Sequence, residues 1–507
     1  MVSNRLAVIL LLLTCSLTAC KKDHVTDKEA PVSPTYGSRA EFTLDSIYLY
    51  AKQTYLWRDI LPSYEVFNPR SYGGSDINDF KRELFAISQL KLNPATGYPY
   101  EEPLFAGTPK YSTLTNKSPN SGVQGSVTLE GKGNDYGFDL TALNNEIWVS
   151  YINPATPAYQ AGLTRGCRVI TLNGVPANAG MISAALSASK LSLTVNTTEN
   201  NLLTLDLIPS AYTANPVLVK KIINTGAAKT GYIAYNSFSV LSNSQPVLTT
   251  AFAEFAAAAN LTNLVIDLRY NSGGYVETAE YFANLIVPSS LNGKVIYSEQ
   301  YNELMSSGKA TILEKQPYLD ANNNPVTYKG RMATMADVDY SETANTYKFS
   351  KKGNLETIKN IYFIVSGNTA SASELLINSL KPYFKVKLAG TKTYGKPVGF
   401  FGINIDQYTM HLANFLICNA NGESGYFTGM PVDISAADDI THNFGDPEEN
   451  SLKKVLDDIN NVQSKSNNAA SSLSNLKNSN NPVTITTSAV KKIPVMIEHR
   501  YKFKNNP

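Results

Sequence analysis

Two apolar runs constrain the fold more than anything else in this chain: Leu264-Val265-Ile266-Asp267-Leu268 and Ile361-Tyr362-Phe363-Ile364-Val365. Each has the length and side chains of a buried strand, and each stops abruptly. The first runs into Arg269-Tyr270-Asn271-Ser272-Gly273-Gly274 and then a helical pattern through Ala279, Phe282 and Leu285. The second breaks at Gly367-Asn368 and resumes as a helix at Glu374-Leu375-Leu376. Strand, sharp turn and helix in alternation imply an α/β core.

The second turn carries chemistry. Ser371, in Thr369-Ala370-Ser371-Ala372-Ser373-Glu374, falls at a helix start, where unpaired backbone N–H groups and the helix dipole favour developing negative charge. This is the logic of a nucleophile elbow, although the G-x-S-x-G spelling is absent. A serine in such a turn is ordinarily an N-cap. Lys396, closing Thr391-Lys392-Thr393-Tyr394-Gly395-Lys396, offers a second use: a serine nucleophile with a lysine base. A lysine holds its proton to about pH 10.4, and burial among apolar neighbours lowers that by several units. Tyr394, Pro397, Val398, Phe400 and Phe401 supply such neighbours, and Gly395 lets the backbone approach closely. Donors for an oxyanion would be the N–H of Ala372 and that of Gly273 or Gly274. Asp267 and Arg269 read as a structural pair, and Glu374 as a first-turn carboxylate stabilising its helix.

At 507 residues the chain exceeds one ordinary core. It divides into a signal segment (1–20), a tether (21–40), a helical region (41–125), a β-rich region (126–212), an α/β core (213–450) and a Ser/Asn-rich extension (451–507). A polar, irregular insertion over the core is expected at about 291–355. Helices are expected from Glu41 to about Tyr64, on Leu44, Ile47, Tyr48, Ala51 and Tyr55, and from Asp76 to Leu90, with Trp57 packed between them. Residues 93–120 read as loop and 251–260 as an alanine-rich helix. Residues 460–482 are a low-complexity linker, whereas Val490 to Phe503 is apolar enough to dock as a strand.

A hydrophobic content of 43% with 17% charge describes a globular protein, and a net charge of +2 without a basic cluster gives nucleic acid no footing. At the N-terminus, Arg5 precedes an apolar stretch from Leu6 to Leu13, too short to span a bilayer, followed by Leu17-Thr18-Ala19-Cys20. This is a signal peptide whose end resembles the bacterial lipoprotein box, in which Cys20 is lipidated and becomes the mature N-terminus. The alternative is an ordinary secretory signal with an accidental cysteine. Lys21 resembles the pattern of lipoproteins sent to an outer membrane, so a cell-envelope protein held on the membrane by a lipid anchor is expected. Only Cys167 and Cys418 then remain, which excludes a disulfide scaffold; each is expected as a small buried residue. His24, His411, His442 and His499 lack metal-ligand spacing, so no metal site is expected.

From Gly131 onward the pattern turns to short strands. Tyr136-Gly137-Phe138-Asp139-Leu140, Glu146-Ile147-Trp148-Val149, Thr156-Pro157-Ala158-Tyr159-Gln160-Ala161-Gly162-Leu163 and Gly166-Cys167-Arg168-Val169-Ile170-Thr171-Leu172-Asn173-Gly174 together resemble a PDZ domain. Such domains add a peptide C-terminus as a strand and receive its carboxylate on backbone N–H groups at a glycine loop, here Tyr136-Gly137-Phe138. Cys167 departs from the aspartate common at that position. The alternative is a small β-rich domain without a peptide groove.

The PDZ-like segment, then Asp267 to Gly274, then Thr369 to Glu374, then Gly395-Lys396, taken in that order, resemble the C-terminal processing (tail-specific) peptidases, which are Ser/Lys enzymes. The resemblance covers about 131–435, with Gly429-Met430-Pro431-Val432-Asp433 a weaker fifth match. It implies a multidomain α/β (α+β) chain: a small helical N-terminal domain, a PDZ-like domain and a peptidase core of the crotonase-like type. It further implies Ser371 as nucleophile, neutral Lys396 as general base, polypeptide substrates with accessible C-termini among exported proteins, and no metal or organic cofactor. The sequence departs from the family's Gly-Lys-Gly-x-x-Gln, since Phe400 stands where the lysine-orienting glutamine would be; either another residue, such as Gln407 or Tyr408 from the next strand, holds Lys396, or activity is low. Two rivals stay open. One is a lipid-anchored, non-catalytic peptide binder on a degenerate peptidase scaffold, and the other is a Ser–His hydrolase using His411 or His442.

Overall fold

The computed structural model describes residues 33–74, 76–103, 105–117, 127–226, 228–320, 324–460, 495–497 and 500–504. The signal segment, Cys20 and most of the 451–507 extension lie outside these residues.

The two apolar runs are adjacent parallel strands. Leu261–Asp267 pairs with Asn360–Val365, Leu264 opposite Ile361 and Ile266 opposite Phe363. They lie at the middle of a six-stranded sheet in the order Val217–Thr225, Ala228–Tyr235, Leu261–Asp267, Asn360–Val365, Lys385–Gly390, Ile434–Ser435. The first pair is antiparallel and the rest are parallel. Successive residues point to opposite faces. Leu264, Ile266, Ile361 and Phe363 pack under the helices Leu241–Ala257, Val276–Ile286 and Ala372–Leu380. Val265, Tyr362 and Ile364 pack against Leu452 and Val455 of the Asn450–Ile459 helix. Burial on both faces is why these strands read as unbroken apolar runs. Both turns, Arg269–Gly274 and Ser366–Ser371, leave the carboxyl ends of neighbouring strands, the place where parallel sheets carry their sites.

The N-terminal helices share this core. Arg39–Thr54 begins in a capping box between Ser38 and Glu41, and Ile77–Ser88 begins at Asp76, whose side chain accepts from the N–H of Asn78 and Asp79. Leu44, Ile47, Phe80 and Leu84 belong to the same buried cluster as the sheet. Trp57 stacks on Tyr100 with ring centres 4.7 Å apart, as packing rather than a ligand box.

The first expected helix stops at Thr54 rather than near Tyr64, and Asn450–Ile459, most of it read as part of the extension, is a helix packed on the sheet. Three further stretches differ from the sequence reading. Within the expected loop 93–120, Thr113–Asn116 is a strand paired with Tyr408–His411. Four residues of mostly polar character earn that state only through a partner supplied by distant chain. The expected insertion is not wholly peripheral: Val295–Tyr301 is a buried strand between Thr346–Lys348 and Phe415–Asn419. The alanine-rich helix starts earlier than its alanines, at Leu241, with Pro246 inside it.

Residues 138–207 form a separate antiparallel module. The strand order is Phe138–Leu143, Glu146–Ile152, Arg168–Leu172, Leu191–Asn196, Leu202–Leu207, with short helices Pro157–Gln160 and Ile182–Leu186 and its own buried cluster. Cys167 is a buried turn residue there, and both Cys167 and Cys418 are free thiols. Arg165, 2% exposed, locks the module to the core. It donates to Ser150 O (2.7 Å), Tyr270 Oη (2.8 Å), His442 O (3.0 Å) and Asp438 Oδ1 (2.5 Å). Arg269 joins the same cluster through Asp438 and Glu449 while holding Asp267, so the Asp267–Arg269 pair is structural.

Candidate active site

Ser371 ends the turn after Asn360–Val365 and is the residue before the Ala372–Leu380 helix. Its backbone has φ 63° and ψ −116°, a left-handed conformation that a residue with a Cβ adopts at a cost of about 1–3 kcal/mol. The surroundings hold it there: Ala370 N–H donates to Asn271 O, Ser373 Oγ donates to Asn271 O, and Thr369 Oγ1 donates to Leu268 O. The serine turn is thus stitched to the glycine turn of the neighbouring strand.

Glu374 does far more than stabilise its helix. Its Oε2 accepts from the Ser371 N–H (3.0 Å) and from the Lys396 N–H (2.8 Å). Its Oε1 accepts from the Gly395 N–H (2.7 Å) and from Thr393 Oγ1 (2.5 Å). One fully buried carboxylate therefore gathers the serine turn and the lysine turn. Burial pushes its carboxyl up, and the four donors oppose that rise. Sequence spacing shows the helix position of Glu374 but not this second turn, which arrives only in three dimensions.

Gly395 permits the approach. At φ 87°, a Cβ there would lie 2.3 Å from Gly429 N and 2.5 Å from Phe427 O. The next residue, Lys396, is 1% exposed. Burial pulls its amine down to about 7, against the opposing fields of Glu101 and Glu374. Glu101 is itself a buried carboxylate, held by Ser112 N, Ser112 Oγ, Tyr55 Oη and Tyr111 N. Phe400, at the departed glutamine position, lies over the lysine, its ring centre 4.2 Å from Nζ. Gln407 and Tyr408 are engaged with each other, Nε2 donating to Oη at 2.8 Å, and Tyr408 packs on Phe80.

The oxyanion candidates separate in the structure. Ala372 is the first helical residue, so its N–H has no acceptor within the helix. Gly273 N–H donates to Asn271 Oδ1 at 2.9 Å. Gly274, φ 141°, lies so close to Phe238 that an added Cβ would be 2.1 Å from its carbonyl oxygen. In the 138–207 module, Phe138–Leu143 is an edge strand and Tyr136 Oη donates to Ala188 O. The Gly137 N–H, expected to receive a carboxylate, already donates to Asp135 Oδ1 at 2.6 Å.

His411 packs its ring on Phe400 at 5.1 Å, and burial together with the Lys396 charge lowers its imidazole to about 4. His442 lies far along the chain, pairing with Asp439 at 2.8 Å beside the Arg165 cluster. Among the described residues no group of three or more His, Cys, Asp or Glu could hold a metal ion, and no helix is long and apolar enough to cross a membrane.

Residues 229–435, which include both turns and Lys396, match peptidase family S41. A carboxyl-terminal-processing protease from Synechocystis sp. is 21% identical over 361 residues, covering 67% of this chain and 69% of that protein. A candidate S41 protease from Bacteroides fragilis has a solved structure that superposes with TM-score 0.55 at 21% identity, covering 85% of this chain and all of that one. A photosystem II D1 C-terminal processing protease superposes with TM-score 0.43 at 16% identity, covering 79% of this chain and 93% of that one. The Bacteroides fragilis structure shares the mixed α/β multidomain fold.

Proposed function

Because the chain carries a peptidase family S41 domain, we propose that it is a serine endopeptidase working through a Ser371–Lys396 dyad. The observation that carries this reading is the shared Glu374 oxygen that binds the backbone of both residues, with the lysine buried and its amine near 7. Ser371 Oγ attacks the peptide carbonyl as its proton passes to neutral Lys396 Nζ. The resulting ammonium returns that proton to the leaving amine, and water then releases the acyl group by the same exchange. Ala372 and Gly274 offer the N–H groups for the oxyanion, Gly273 being engaged by Asn271.

The substrates on this reading are C-terminal segments of exported polypeptides. The 126–212 region is read as a PDZ-like tail binder with Phe138–Leu143 as its receiving edge; carboxylate capture at Gly137 then requires Asp135 to swing away. The protein is read as a cell-envelope lipoprotein, anchored through Cys20 in an outer membrane, from its signal-like first residues. Residues about 291–355 are read as gating the site, a role supported by the complete burial of Ser371.

The test uses soluble protein starting after Cys20 beside Ser371→Ala and Lys396→Ala. Each is incubated with unfolded proteins and peptides bearing apolar free C-termini, and products are read by mass spectrometry. Cleavage by the parent alone supports the dyad; cleavage that survives in both variants sinks it. A second reading, a peptide-tail binder without turnover, draws on Phe400 in place of a polar residue above Lys396. It is favoured if all three proteins bind peptide tails equally and none cleaves.

A further inference from the structure

The Gly273–Tyr275 strand has a neighbour from far along the chain. Val495–Ile497 runs parallel to it, Gly273 opposite Val495, Gly274 opposite Met496 and Tyr275 opposite Ile497. The same segment lies alongside Val398–Gly399, the strand that starts two residues after Lys396. A stretch of extended backbone therefore sits between the glycine turn and the strand that follows the lysine. Ser371 and Lys396 are 0% and 1% exposed in this arrangement.

The rest of the segment is fastened elsewhere, chiefly to residues 291–355. Arg500 pairs with Glu280 at 3.0 Å. The Asp339 N–H donates to Lys502 O at 2.8 Å and the Lys504 N–H to Asp337 O at 2.9 Å. Phe503 stacks on Tyr328 (4.6 Å between centres) and meets Tyr318 edge-on (5.0 Å). These contacts hold residues 500–504 by two backbone hydrogen bonds together with an ion pair and ring packing. The three residues beside the glycines are held as a short parallel ladder, the weaker of the two pairing modes. Pairing with two consecutive glycines asks only for an extended backbone, which any peptide supplies.

We propose that the free side of Gly273–Tyr275 is the binding site for an extended, apolar polypeptide segment taken up as a parallel strand, and that Val495–Ile497 fills it as an intramolecular surrogate for substrate. This rests on the peptidase reading of Ser371 and Lys396. The anchor at 500–504 keeps the surrogate in place, and substrate enters when that anchor lets go.

The experiment reads binding and hydrolysis separately. A fluorescent peptide of residues 494–504 is titrated into protein starting after Cys20 and carrying Ser371→Ala. Three forms are compared: the segment intact, the anchor removed by Arg500→Ala with Phe503→Ala, and the chain opened at a protease site inserted near residue 470. Both opened forms are expected to bind the peptide at least tenfold more tightly than the intact one, and an unfolded polypeptide with apolar segments should displace it. With Ser371 restored, opening should raise hydrolysis at least tenfold, and the free peptide should inhibit competitively. Opened forms that bind no better than the intact one overturn the proposal. Tighter binding without hydrolysis in any form keeps the binding site and removes the peptidase reading. Equal hydrolysis in all forms, with no competition by the peptide, keeps the peptidase reading and removes the surrogate.

Discussion

The amine nitrogen of Lys396 lies 4.2 Å from the centre of the Phe400 ring. Two effects of opposite sign meet there. Burial disfavours the ammonium, while the ring face attracts it by about 0.5–2 kcal/mol. Since the amine is lowered to about 7, burial wins. Phe400→Leu keeps the apolar wall and removes the ring quadrupole. The pH at which kcat/KM reaches half its plateau should therefore fall, by up to about 1.5 units. An unchanged profile would make the ring a mere wall.

The parent's own pH dependence has a fixed sign. A general base must be neutral, so kcat/KM should rise about tenfold per pH unit below about 7 and level off above it. Stability follows the same amine differently. Its folded value lies below the unfolded one, so the folded state binds fewer protons between about 7 and about 10.4, and stability rises with pH across that window. Lys396→Met should abolish hydrolysis and flatten this rise in thermal melts. A parent whose kcat/KM falls between pH 6 and 8 would contradict a lysine base.

Glu374→Gln tests the brace between the two turns. An amide offers one acceptor oxygen and one NH2 where four donors converge, so at least two N–H or O–H groups lose their partner. Loss of a buried, hydrogen-bonded carboxylate costs about 3–5 kcal/mol, and a displaced lysine costs on the order of 10²-fold in kcat/KM. Removing the negative charge should also move the half-plateau pH lower, because that charge raises the Lys396 amine. Glu374→Asp should recover part of the activity. A stability loss with an unmoved pH profile would leave Glu374 as scaffold only.

What the chain discloses before folding follows a physical rule. Ser371 and Lys396 are legible because each sits in a local pattern: a buried strand breaking into a helix, and a Gly-Lys step with aromatic neighbours. The Asp267–Arg269 pair is legible because charges ending an apolar strand need partners close by. Glu374 looks like any first-turn acid, since its other three donors come from residues 393–396, brought over by the Gly395 turn. Thr113–Asn116 and Val295–Tyr301 are strands by virtue of partners at 408–411 and 415–419. The apolar tract near Val495 reads as a docking strand, but nothing in it names Gly273–Tyr275 as its partner.

Glu83 makes a prediction away from the chemistry. It lies fully buried on the Ile77–Ser88 helix, and neither carboxylate oxygen has a hydrogen-bond partner among the described residues. Burial, reinforced by Asp45, pushes its carboxyl well above the usual range. Because the folded value is the raised one, stability is fully present below the unfolded value of about 4.3 and is lost as pH climbs toward the folded value. Glu83→Leu removes the need to bury either a charge or an unpaired acid in a core already built from Leu44, Phe80 and Leu84. It should therefore stabilise by about 1–3 kcal/mol at pH 8, with a smaller gain at pH 5. Denaturant titrations of both proteins at the two pH values check this. A variant less stable than the parent at pH 8 would mean that the buried acid has a compensating partner.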